Sequence, residues 1–424
     1  MDTMAILGAA YSPRVVDAAL AEALETAGMV LVEGARATGK TMTGLAAASS
    51  YVFLDDPGTR ESLAVAPGAL LDGARPRLLD EWQQAPDLWN LVRRRVDASR
   101  APGQFLLTGS AVPRDDQTRH TGAGRALRLR MRTMSWREKG RATGDPVGLA
   151  ALFEGARPAT AEPATDLAGV VEGLLRPGFP GMAGLAPRRA ATLLRAYAEE
   201  TTRVDMGRLA DIRHGPAALD ALLRALARST GQPVSHRTLA ADLQPAAPGI
   251  TAETVAGYVG LLERVFVVEP VPAWSPGLRS RARLRTSPRR HVADPALAAA
   301  LLGAGQESLL ADLPTLGVLF ESAVVHDLLV LAGANEGKVW HYRDSNGHEL
   351  DAVITLPDGR WAAVEVKLGG RQAPAGAAGL AQAVDQIDPA HVGTPAFRLV
   401  VTGTGPTMVF DDGTVTCPLA ALAP

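Results

Sequence analysis

Cysteine is nearly absent. The one thiol, Cys417, leaves no intramolecular disulfide and no cysteine-based zinc site, and fits a reducing compartment. Lysine is almost as scarce, with four residues (Lys40, Lys139, Lys338 and Lys367) beside 39 arginines. With abundant Ala and Gly, that skew is the mark of GC-rich coding, so an arginine cluster means less than usual and each retained lysine means more. Net charge is lacking too: −2 over 424 residues gives no global pull toward nucleic acid, and any such binding must come from local patches. Met1 to Leu7 show no basic start ahead of an apolar core, and no later run reads as long enough to span a membrane. A soluble, cytoplasmic protein without membrane partners is expected. Apolar residues are plentiful at 47%, enough to fill the cores of two to four domains.

The strongest local signal is Gly34-Ala35-Arg36-Ala37-Thr38-Gly39-Lys40-Thr41, a complete Gly-x-x-x-x-Gly-Lys-Thr phosphate loop. Its glycines let consecutive N–H groups face a phosphate, and a helix opening near Lys40 and Met42 adds its positive dipole end. Lys40 is expected on the β- and γ-phosphates of ATP, and Thr41 on Mg²⁺. The apolar run Met29–Val32 enters the loop and Met42–Ala48 leaves it with helix formers, the strand–loop–helix context such a loop needs. A helix over residues 14–27 precedes it.

Tyr51–Leu54 reads as a second buried strand. Arg77-Leu78-Leu79-Asp80-Glu81 is a third, ending in two acids in the Walker B form, with Asp80 placed to hold Mg²⁺ and Glu81 to polarise a water. Gln104–Ser110 is another, whose Thr108 and Ser110 hydroxyls are not separable here as sensors of the γ-phosphate. Arg125 follows in a Gly-rich loop and is the candidate finger onto a γ-phosphate, in its own or a neighbouring subunit of a homo-oligomer. Arg128, Arg130 and Arg132 then alternate with Leu127, Leu129 and Met131 as a strand with one charged face.

A Pro/Ala/Gly linker at 155–163 marks a boundary. Beyond it, residues 188–228 read as helical. A capped helix at 235–243, a turn, a helix from Thr251, a strand Val265–Val268 and the basic stretch Arg279–Arg285 follow in the order of a winged helix, a fold that sets its second helix in a DNA groove.

The last domain opens with an amphipathic helix over 317–329 carrying Glu321. A strand follows at Lys338–Arg343, then two more at Glu349–Ile354 and Trp361–Lys367. Glu365 and Lys367, two apart on a strand, share a face, and Asp351 on the partner strand approaches them. Asp, Glu-x-Lys and the further acid Glu321 form a metal-nuclease constellation in which the carboxylates hold Mg²⁺. A structural Glu–Lys pair fits the same residues.

These pieces together resemble the prokaryotic AAA-type ATPases that carry a C-terminal domain of unknown function with a PD-(D/E)xK nuclease-like fold. The resemblance rests on Tyr11-x-Pro-Arg14, Glu33–Thr41, Leu54–Pro57, Leu79-Asp80-Glu81-Trp82-Gln83, Leu107–Ser110 and Gly178-Phe179-Pro180. It continues in Tyr258–Glu263, Phe320-Glu321, Tyr342-Arg343, Glu349–Asp351 and Val364–Lys367. It implies an α/β chain in three parts: an AAA-type P-loop parallel-sheet domain at 1–154, a helical and winged-helix domain at 165–305, and a PD-(D/E)xK nuclease-like domain at 310–424. The function implied is Mg²⁺-dependent ATP hydrolysis coupled to DNA or a protein partner. The alternatives are a nucleotide-loaded regulatory or antitoxin-like switch and an ATP-regulated DNA nuclease.

Overall fold

The computed structural model of the chain describes residues 11–110, 122–163, 165–209, 212–276 and 287–424. The chain divides into two compact units. One holds the residues up to Thr133 together with Arg264–Phe266, and the other holds Met134–Glu263 and Val267–Pro424.

In the first unit, helix α1 (Val16–Thr26) leads into β1 (Met29–Glu33), the loop 34–39 and α2 (Lys40–Ala47). Then come β2 (Ser50–Phe53), α3 (Pro57–Val65), β3 (Arg77–Asp80), α4 (Leu88–Ser99), β4 (Phe105–Gly109) and β5 (Ala126–Arg130). All five strands are parallel, in the order β2-β3-β4-β1-β5. The continuous apolar runs seen in sequence are what a sheet covered on both faces demands. Leu31, Leu79, Phe105 and Leu107 pack with Trp82, Trp89 and Val92 on one face. Val30, Val32, Leu78 and Leu106 pack with Leu20 and Leu45 on the other. Because β4 lies between β1 and β3, the carboxyl ends of all three strands lie side by side, at the edge where ligands of such sheets bind. The expected strands agree with β1 to β5 to within a residue or two at most ends.

The second unit begins at Met134, ahead of the boundary expected near residue 154. Met134 N–H donates to Gly178 O (2.7 Å) and Trp136 N–H to the Asp327 carboxylate (2.8 Å), which binds this stretch to the later chain. The regions 165–305 and 310–424 likewise pack as one body, with the hydroxyls of Thr230 and Ser322 3.1 Å apart. Helices α5 (Gly215–Arg228), α6 (His236–Leu243, capped by Ser235) and α7 (Ala252–Arg264) precede the antiparallel pair β6 (Val268–Val271) and β7 (Arg289–Val292). The strand expected at Val265–Val268 starts three residues late, because Phe266 is left-handed (φ 64°) and breaks the extended run. The charged residues of α7 are Glu253, Glu263 and Arg264, which give it no basic face for phosphates. The basic stretch Arg279–Arg285 lies outside the described residues.

Helix α8 (Leu313–Gly333) lies across β8 (Lys338–Arg343), β9 (Glu349–Thr355) and β10 (Trp361–Gly369). Helix α9 (Ala373–Asp385) leads on to β11 (Arg398–Thr404), β12 (Met408–Val409) and β13 (Val415–Pro418). The sheet order is β12-β13-β11-β10-β9-β8, with β8, β9 and β10 antiparallel and β10, β11 and β13 parallel. By length and apolarity α8 can cross a membrane, contrary to the sequence reading, yet 67% of its most apolar window is buried inside the protein, as in a core helix.

Candidate functional site

The loop closes on itself. Ala37 (φ 60°) and Gly39 (φ 101°) are left-handed, which bends 34–39 into a cradle and delivers the chain to the first turn of α2, where Lys40, Thr41 and Met42 lie. Ala35 O takes two bonds, from Lys40 Nζ (2.7 Å) and Thr38 Oγ1 (2.9 Å). Gly34 is required by close approach: a Cβ there would stand 2.0 Å from Met131 O. Arg14 ties the loop from outside, donating through Nη1 to Thr38 O (2.7 Å) and through Nη2 to Arg132 O (3.0 Å). Burial pushes Lys40 down to about 8. The charges of Glu81 and Asp80 oppose that shift, and those of Arg130 and Arg36 add to it.

Asp80 and Glu81 end β3 beside this cradle. Thr41 Oγ1 donates to both Asp80 oxygens (3.0 and 3.1 Å), so a hydroxyl and a carboxylate converge next to the loop. This is a set of hard oxygen donors that suits Mg²⁺. Burial raises the pKa of Asp80 against the hydrogen bonds from Thr108 and Thr41. Glu81 is left-handed (φ 55°), a conformation a non-glycine residue holds only where its surroundings impose it. Its carboxylate accepts from Ser110 Oγ (2.9 Å) and from Gln83 Nε2, which also donates to Ser110 (3.0 Å). Thr108 and Ser110, inseparable in sequence, therefore do different things. Thr108 bonds Asp80 and the Glu81 amide, and Ser110 bonds the Glu81 side chain.

Gln83 and Arg14 were quoted in the sequence without a role. The signal for Gln83 was an amide two residues past the acid pair. For Arg14 none exists, since its partners are backbone carbonyls 24 and 118 residues away.

For Arg125 the own-subunit alternative is corrected. Strand β5 runs parallel to β1 with Ala126 beside Met29 and Arg130 beside Glu33, so Arg125 lies at the end of the sheet away from the loop. About 16 Å of strand separates the two ends. Its guanidinium pairs with Asp97 and bonds Ala123 O (3.0 Å), which excludes a reach to a phosphate in its own subunit.

In the second unit the four nuclease-like residues do come together. The register of β8 against β9 slips between Leu350 and Val353, a bulge that re-aims Asp351. Its carboxylate accepts from Val366 N–H (2.8 Å), and Lys367 Nζ pairs with Glu365 (2.6 Å). Glu321 on α8 faces Arg289 Nη1 at 3.5 Å, and the same guanidinium pairs with Glu349. Burial and the charge of Asp351 push Glu321 up to about 8 and Glu365 up to about 7, and burial raises Asp351 as well. Burial lowers Lys367, but its bond to Glu365 and the surrounding carboxylates outweigh that and raise it. Among the described residues no three His, Cys, Asp or Glu side chains are grouped to hold a metal ion. Arg289 pairs with Glu321 and Glu349, and Lys367 with Glu365.

Residues 26–139 match a family described as an AAA domain. This stretch, which holds the Gly34–Thr41 loop, is similar to AAA domains. Residues 168–308 and 316–422 match two further families, each described as a domain of unknown function (DUF8612 and DUF4143). The chain is 26% identical over 355 residues to "Uncharacterized protein Rv2008c" of Mycobacterium tuberculosis and to "Uncharacterized protein Mb2031c" of Mycobacterium bovis, covering 82% of this chain and 72% of each relative. Among solved structures, the Walker-type ATPase PABY2304 of Pyrococcus abyssi aligns over 69% of this chain and 96% of its own at 15% identity and a TM-score of 0.39.

Proposed function

We propose that this protein is a Mg²⁺-dependent ATP hydrolase. The observation that carries the reading is the juxtaposition of Lys40 and Thr41 with a buried Asp80 and a backbone-constrained Glu81 at the carboxyl edge of one parallel sheet. The amides of 35–40 and Lys40 hold the β- and γ-phosphates, and Thr41 and Asp80 hold the metal. Mg²⁺, when bound, neutralises charge developing on the phosphates. Glu81 orients the attacking water, with its carboxylate aimed by Ser110 and Gln83. Calorimetry with ATP and Mg²⁺ tests the binding step: the native chain binds, and Lys40→Ala abolishes the heat. Native protein that binds no nucleotide contradicts the proposal.

A second reading is a nucleotide-loaded switch. It is favoured by the engagement of Glu81 with both Ser110 and Gln83, which keeps the carboxylate occupied. ATP binding without phosphate release is its signature.

The free energy of hydrolysis is spent in the second unit. The order α5, α6, α7 and the β6–β7 pair supports a winged helix there, and the acids of α7 favour a protein partner over DNA. The strand pattern of β8 to β11 with Asp351, Glu365 and Lys367 supports a nuclease-like domain that recognises rather than cleaves. DNA cleavage that is lost in Asp351→Ala and Lys367→Ala contradicts that assignment and favours an ATP-regulated nuclease.

A further inference from the structure

Tyr11 and Arg14, in the stretch ahead of α1, converge on the phosphate loop and the helix that follows it. Tyr11 OH donates to Asp17 (2.7 Å) and lies 2.8 Å from Thr43 Oγ1 on α2. Asp17 also accepts the Arg14 N–H (2.8 Å), so one carboxylate near the start of α1 fixes the root of Arg14. The guanidinium is buried and forks onto two carbonyls, Thr38 O through Nη1 (2.7 Å) and Arg132 O through Nη2 (3.0 Å). Met131, next to Arg132, is itself fixed to the entry of the loop by its N–H on Glu33 O (2.7 Å). A planar fork held at its root and at both prongs has one orientation. Ala35 O, by contrast, is held by Lys40 and Thr38, members of the loop itself. Arg14 is an anchor from outside, 24 residues away from Thr38 in the chain.

What this anchor does follows from the shape of a peptide. In a trans peptide the C=O of one residue and the N–H of the next point in opposite directions. Thr38 is fully buried, and its carbonyl is turned onto Arg14. The N–H of Gly39 is therefore turned the other way, toward the cradle. Gly39 is left-handed (φ 101°), and a glycine at that position lets the peptide between Thr38 and Gly39 flip at little steric cost. The flipped peptide would present a carbonyl oxygen where a phosphate oxygen has to sit. We propose that Arg14 is a positioning residue for the phosphate loop: by holding Thr38 O outside the cradle, it keeps the Gly39 N–H aimed at the phosphates of a bound nucleotide. This deepens the ATP-binding reading and rests on it. Arg14 itself touches no phosphate, and it acts through one peptide unit.

The test is phosphorus NMR of ADP bound with Mg²⁺ to the full chain at saturation, for the native protein, Arg14→Ala and Arg14→Lys, with affinity read by calorimetry and folding by the urea midpoint. In the native protein the amides of the loop displace the β-phosphorus resonance from its position in free ADP. In Arg14→Ala affinity is expected to fall by about tenfold or more, and the displacement to shrink even with every site filled. Arg14→Lys keeps a donor for Thr38 O and is expected to recover most of the displacement. Arg14→Gln, whose amide is too short to reach Thr38 O, takes the place of Arg14→Ala if that variant does not fold. A full native displacement in Arg14→Ala or Arg14→Gln overturns the proposal and leaves the ATP-binding reading standing, since it marks an arginine that only braces the fold. Equal loss in Arg14→Lys and Arg14→Ala also overturns it, because packing and not a donor is then what counts. Native protein that binds no ADP overturns the ATP-binding reading and this assignment together.

Discussion

Thr108 joins Asp80 to Glu81: its hydroxyl donates to the Asp80 carboxylate and accepts the Glu81 amide at 3.1 Å, with no part of the side chain exposed. One side chain on β4 thus holds both Asp80 and the left-handed turn that presents Glu81. Thr108→Val keeps the shape and deletes both bonds. It is expected to cost about 1–3 kcal/mol of stability, because a buried carboxylate and an amide are left short of a partner. Phosphate release is expected to fall by about tenfold or more. Thr108→Ser restores most of both. Urea unfolding and a phosphate-release assay on the two variants check this, and equal behaviour of Val and Ser contradicts it.

Lys40 makes ATP affinity depend on pH in a stated direction. The buried amine, lowered to about 8, is cationic below that value and neutral above it. A triphosphate binds the cation, so affinity is expected to be flat below about pH 8 and to fall by about tenfold per unit above it. Binding near the midpoint takes up a proton, because the phosphates raise the amine again. Calorimetry in two buffers of different ionisation enthalpy measures that uptake. Release of a proton instead contradicts the assignment.

Gly34 is held by contact and not by φ alone. A Cβ 2.0 Å from Met131 O has only backbone to displace, so Gly34→Ala is expected to destabilise the first unit by about 1–3 kcal/mol or more, with or without nucleotide. Urea midpoints measured without ATP decide it: a native-like midpoint shows that Gly34 serves only the ligand.

The carboxylates around Arg289 link stability to pH with the opposite sign from a salt-bridged acid. Glu321, raised to about 8, holds a proton in the folded protein that the unfolded chain has released by then. Between its ordinary value of about 4.5 and about 8 the native state binds more protons, so unfolding free energy falls as pH rises and recovers as pH falls. Glu321→Gln is expected to flatten that slope. Denaturant titrations at about pH 5 and about pH 9 compare the two proteins, and an identical slope contradicts a protonated Glu321.

Much of the first unit was legible because its signals are local. Apolar runs marked β1 to β4, the Leu/Arg alternation marked β5, and the loop motif placed Gly34 to Met42 together. Strand-end logic placed Asp80 beside the loop, where it accepts from Thr41. Arg125 as a finger within its own subunit fails because sequence shows that an arginine lies near a strand but not at which end of the sheet. Register against β1 decides that. Gln83 and Arg14 were read as motif letters, since one acts through a side chain turned back on its own turn and the other through carbonyls far away in the chain. In the second unit the Asp351, Glu365 and Lys367 pattern was visible. Arg289, which reaches Glu321 from a strand 32 residues earlier and pairs with Glu349 as well, was not.

The central claim is that the Gly34–Thr41 loop binds ATP for hydrolysis, with Glu81 as the residue that activates water. Its most direct test is Mg²⁺-dependent phosphate release from ATP by the native chain, Lys40→Ala and Glu81→Gln. Turnover is expected in the native protein only. Lys40→Ala is expected to lose both binding and turnover, and Glu81→Gln to retain ATP while losing turnover by about a hundredfold or more. Turnover in Glu81→Gln equal to that of the native protein, or none in any of the three while ATP binds, contradicts the account.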